Sequence, residues 1–137
     1  MKFLCLGYFD PAKMRALPPE RVDALMQECQ PHMEAQYGTG KVVAVFGADD
    51  EARHLRLSGG KLDVSDHDAA TPEKVGCVFV LEAADMEEAV RLAALHPTTQ
   101  IAAGEALGWR TEVRPVQYLY RGGDDLPGAA GGAGSAG

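Results

Sequence analysis

Residues 75–120 read in order as strand, helix, loop and strand, and residues 2–48 give strand, helix and strand before them. Two such units in a chain of 137 residues, with a hairpin pattern between them, leave few architectures open. Sequential strands tend to pair, and helices that return between antiparallel partners bury their apolar stripe on the sheet. The expected fold class is therefore α+β: an antiparallel sheet with two helices on one face and an inserted β-hairpin.

Residues 2–8 are mostly apolar and stop at Asp10-Pro11, as a buried first strand would. Residues 10–17 read as a connection. Pro18-Pro19-Glu20 then opens a helix, with proline in the first turn and an acid near the positive end. Its apolar positions Leu25, Met26, Cys29 and Met33 keep helical spacing. Pro31 inside that run removes a backbone donor, which predicts a kink or a break. Residues 41–48 are nearly all apolar and predict a strand buried on both faces. Leu55 and Leu57, a turn at Ser58-Gly59-Gly60-Lys61, and Leu62 and Val64 form a hairpin with one wet face. After a polar loop, residues 75–82 are a core strand. Asp85 caps a second helix with Glu87 and Glu88 in its first turn. His96-Pro97 ends that helix, and residues 98–111 connect to a last strand over 112–120, with a short helix over 100–106. Pro115 places this strand at an edge or a bulge. Residues 1–121 form one domain, and 122–137 a disordered Gly/Ala-rich tail.

The net charge of −7 comes without a basic cluster, so no nucleic-acid partner is expected. No apolar run reaches the ~20 residues of a membrane helix. The apolar start lacks a small-residue cleavage site and is not read as a secretory signal. Cys5, Cys29 and Cys77 are widely spaced and odd in number, as buried thiols of a cytoplasmic protein would be. Two helices on one sheet face leave the other uncovered, and a homodimer would cover it.

Motifs for cofactors fail on inspection. Gly38-Thr39-Gly40-Lys41 has Ala35 where a phosphate loop needs its first glycine, and Val42 where it needs Ser or Thr. No dinucleotide fingerprint, His-Glu-x-x-His or Gly-x-Ser-x-Gly occurs, and no cofactor is expected. Four histidines remain. His54 falls on the polar phase of the hairpin. His67 lies between Asp66 and Asp68, but one short loop rarely completes a coordination sphere, so no metal site is expected. His32 flanks the buried face of the first helix. His96 ends the second, where the helix dipole favours its protonated form. His32 and His96 are the candidate acid–base pair, with Tyr8 and Trp109 as candidate substrate walls, and residues 97–111 as a lid.

With the strands placed, several pieces fall into one order: Met1-Lys2-Phe3, Leu17-Pro18-Pro19-Glu20, Val78-Phe79-Val80-Leu81-Glu82, Asp85-Met86-Glu87-Glu88-Ala89, His96-Pro97 and Glu112-Val113-Arg114-Pro115-Val116. In this order and spacing, over about residues 1–120, the chain resembles the YCII-related family, which includes the DGPF-domain branch. The resemblance implies a ferredoxin-like fold and the dimeric α/β barrel of muconolactone-isomerase-type enzymes. Asp66-His67-Asp68-Ala69 stands where that branch carries Asp-Gly-Pro-Phe. Some members pair a histidine with an aspartate; His32 follows a proline as in that pattern, and His96 replaces the aspartate. Two functions are compatible with these residues. One is a small-molecule lyase or isomerase using histidine acid–base chemistry in a cleft between sheet and helices. The other is a non-catalytic dimeric module that binds a small ligand or a protein.

Overall fold

The structure, a computed structural model, describes residues 1–66 and 72–125. Strands β1 (Lys2–Phe9), β2 (Val42–Gly47), β5 (Lys74–Glu82) and β6 (Arg110–Pro115) form one sheet in the order β2-β5-β1-β6. Every neighbouring pair is antiparallel. Strands β3 (His54–Ser58) and β4 (Lys61–Ser65) make the inserted hairpin as a separate two-stranded sheet. This is the α+β arrangement that the repeated units predict, in the ferredoxin-like form that the resemblance implies. His67, around which no metal site is expected, and residues 126–137 of the expected tail lie outside the described residues.

Alternation along the strands divides the sheet into two faces. Phe3 and Cys5 of β1 share one face with Phe79 and Leu81 of β5, and all four are buried. Helix α3 (Met86–Ala93) packs on that face through Ala89 and Ala93, whose small side chains let the helix come close. Its start follows from a reciprocal cap. The Glu88 backbone N–H donates to Asp85 Oδ1 at 2.9 Å, and Glu88 Oε1 accepts the Ala84 N–H at 3.1 Å. Helix α2 (Pro19–Tyr37) contributes Leu25 and Cys29 to a second cluster with Ile101 and Leu107.

Four local expectations need correction. Residues 11–15 are a helical turn, α1 (Pro11–Arg15), because Asp10 caps it: Oδ1 accepts the Ala12 N–H at 3.0 Å, and Pro11 supplies the fixed φ of a first helical residue. Helix α2 runs through Pro31 without a break, and Pro31 sits on its exposed side. Strand β2 is not buried on both faces. It is an edge strand, and within one chain Phe46 is 61% exposed. Strand β6 also stops sooner than expected, at Pro115. Among the described residues no helix is long and apolar enough to cross a membrane.

Candidate functional site

Residue 7 is where the core of the sheet gives out. On the helix-covered face β1 presents Phe3, then Cys5, then the bare backbone of Gly7. Cys77, its partner on β5, fills part of the space, and a Cβ at residue 7 would collide with the Cys77 Sγ. What remains open is a cavity of about 300 Å³. Met26, Cys29 and Met33 of α2 and Met14 of α1 wall it from the helix side; Tyr8, Phe9 and Trp109 complete the rim. The long, unbranched methionines suit an irregular wall of this kind.

His96 is the polar centre of that wall. As the residue before a proline it is held extended, at φ −64° and ψ 146°. This turns its ring back over the 3₁₀ turn at Pro97–Thr99, where Nδ1 accepts the Thr98 backbone N–H at 3.2 Å. The Thr98 hydroxyl lies 3.0 Å from the same nitrogen and is itself hydrogen-bonded to the Thr111 hydroxyl. The ring stacks on Phe79, with centroids 4.8 Å apart and planes inclined by 11°. The other nitrogen, Nε2, is 3.8 Å from Cys77 Sγ.

The electrostatics follow from burial. His96 is only 9% exposed, and desolvation pulls its pKa down from 6.5 to about 4. The preceding helix end was expected to favour the protonated ring; loss of water outweighs it, and His96 is neutral at pH 7. Burial likewise raises the Cys77 thiol, with a hydrogen bond from the Gly7 backbone pulling the other way. Cys77 is therefore a thiol rather than a poised thiolate.

The cavity brings together three of the four residues singled out from the sequence: Tyr8, His96 and Trp109. His32 is half-buried on α2 between two lining residues, Cys29 and Met33, and does not itself line the cavity. Tyr8 is fixed by its neighbours. The Arg110 guanidinium sits 4.0 Å above its ring and its hydroxyl donates to Glu112 Oε1 at 3.1 Å. Arg110 in turn donates to both carboxylate oxygens of Glu73, at 2.6 and 2.9 Å. Beyond Tyr8 lies a broader cleft of about 740 Å³, edged by Asp10, Asp49, Asp50 and Glu51. His54 borders it half-buried, where the hairpin pattern predicted a fully wet residue. Among the described residues no three His, Cys, Asp or Glu side chains are grouped to hold a metal ion.

Cys77, Thr98 and Thr111 were not recognised from the sequence. The signal for Thr98 was present, since His-Pro-Thr reads as a side chain capping a turn opened by proline. Cys77 gave none, because a strand apolar in both phases does not say which phase meets a cavity.

The model of the YCII-related domain matches residues 1–111. This chain belongs to the YCII-related family. A comparison with curated proteins gives no match. Every residue lining the cavity falls within the matched YCII-related segment.

Proposed function

We propose that this YCII-related protein takes a small, uncharged and mainly apolar molecule into the cavity between β1, β5 and α2, where His96 is the polar group that meets it. The carrying observation is the composition of the wall, which has no Lys, Arg, Asp or Glu among its lining residues. A charged ligand would lose its hydration there with nothing to replace it. The volume is ample for one substituted ring, since a dry cavity of ~150 Å³ already admits benzene. Trp109 is the only tryptophan of the chain and lines the cavity, so its emission reports on occupancy. Titration with a panel of small aromatic ketones and lactones is expected to change that emission saturably. A panel that leaves both the emission and the melting temperature unmoved would sink the reading.

In its catalytic form this is a lyase or isomerase in which the neutral imidazole contacts the reacting atoms and Tyr8 and Trp109 hold the substrate. His32 stays outside it. A group with a pKa of about 4 is poorly matched to shuttling protons at pH 7, which favours hydrogen bonding over general-base work. The same mismatch favours the non-catalytic binding module as the second reading. The two differ in a simple assay: His96-dependent incorporation of deuterium beside a bound carbonyl in heavy water marks the enzyme.

We also take the protein to be a homodimer joined through the open sheet face, working in the cytoplasm, where its three free thiols stay reduced. Leu4 and Leu6 stand opposite Val80 and Val78 on that face, and Phe46 stands beside Val78. Sedimentation equilibrium at micromolar concentration is expected to give twice the chain mass, and Leu6→Lys with Val78→Lys to give the monomer. A wild-type protein that sediments only as a monomer contradicts this assignment.

A further inference from the structure

Resting on the cavity as a small-molecule site, we propose that it selects uncharged ligands bearing a hydrogen-bond acceptor, a carbonyl oxygen fitting best, because the Thr98 backbone makes His96 a donor. A backbone N–H can only donate. The Thr98 N–H is given to Nδ1 of His96, so that nitrogen must carry the lone pair. The remaining proton of the neutral ring then sits on Nε2. The Thr98 hydroxyl, 3.0 Å from the same Nδ1 and hydrogen-bonded to Thr111, is able to donate to that lone pair as well. Turning the ring over would surrender both contacts at Nδ1.

Nε2–H therefore points at Cys77 Sγ, 3.8 Å away on the cavity wall. Sulfur is a weak acceptor, so this donor is poorly satisfied while the cavity holds no ligand. A carbonyl oxygen satisfies it better and leaves the apolar body of the ligand to Met33, Phe9 and Trp109. A ligand offering only donors would meet another donor. A carboxylate would find the N–H, but no cation on the lining to offset its desolvation. Thr98 and Thr111 are thus positioning residues, acting on the ligand through the imidazole.

The test compares acetophenone with α-methylstyrene, which replaces the carbonyl oxygen with a methylene of similar shape. Both are titrated into the full-length protein and its His96→Phe variant, read by Trp109 emission. Phenylalanine keeps a ring to stack on Phe79. The ketone-to-alkene affinity ratio is expected to fall by about three- to tenfold in the variant, the worth of one buried hydrogen bond. Nitrogen-15 spectra of the wild-type imidazole supply a second measurement that needs no variant, with the proton expected on Nε2. A proton found on Nδ1, or a ratio unchanged by His96→Phe while both compounds bind, overturns the donor assignment and leaves the cavity reading standing. Failure of both compounds to bind wild-type protein overturns the cavity reading and this inference with it.

Discussion

Taking the protein from pH 7 down to pH 4 is expected to remove up to about 3 kcal/mol of stability through His96 alone. The native ring resists protonation until about pH 4, whereas the unfolded chain protonates it through 6.5. Between those values the unfolded state binds more protons, so the free energy of unfolding falls as pH falls. Above 6.5 the contribution is complete. The size follows from about 1.4 kcal/mol for each pH unit separating the two values. Carboxylates titrate across the same range, so the informative quantity is a difference. Urea unfolding midpoints of wild type and His96→Gln, followed from pH 7.5 to 4.5, should diverge, with the shallower pH dependence in the variant. Parallel curves would mean that water reaches the imidazole and that burial does not set its charge.

Gly7→Ala should be nearly as costly, at about 2–3 kcal/mol, because the new methyl group lands on the Cys77 sulfur in the middle of a paired sheet. Neither strand can move aside without disturbing the register that seats Phe79 and Leu81. The remedy is specific. Cys77→Ala removes the sulfur and makes room for the methyl, so the double variant should recover at least about 1 kcal/mol relative to the sum of the single changes. Chemical denaturation of the four proteins measures this directly. A neutral Gly7→Ala, or additive effects in the double variant, would show that the two residues are not packed as described.

Much of this fold was legible because local and global preferences agree. Asp85 with Glu88 marks a helix start by side-chain chemistry alone, and α3 begins there. The paired strand–helix–strand order was enough for the sheet. The errors share a cause, which is that single-residue rules do not know their surroundings. Pro31 is incompatible with one backbone bond, yet it faces water on α2, and the packing of Leu25 and Cys29 carries the helix through. An unbroken apolar run cannot separate a central strand from an edge strand, so β2 was placed too deep. In the site, Tyr8, His96 and Trp109 were found by residue type, being rare and chemically able. His32 was chosen by the same criterion, and it falls on α2 between the lining residues Cys29 and Met33 without reaching the cavity. Thr98 and Cys77 matter through geometry that only the fold supplies.

One irregularity of the sheet reaches further than its size. Gly7 pairs with Cys77, but Tyr8 pairs with Val75, so Gly76 is an extra residue on β5. Such an insertion re-aims the chain beyond it. Strict alternation would set Val75 on the same side as Cys77; the inserted glycine sets it opposite Tyr8 instead, and the Phe9 ring lies over the gap. The strand pair is thereby geared in two frames joined at one tooth. From Cys77 onward, β5 keeps its side chains in step with the helices above. Past it, Tyr8 and Phe9, which wall the cavity, pair with Val75 and Lys74 on a separate setting. Variation among descendants of this sequence is accordingly expected to fall unevenly, with Tyr8 and Phe9 free to drift toward new ligands while Phe3, Phe79 and Leu81 stay locked.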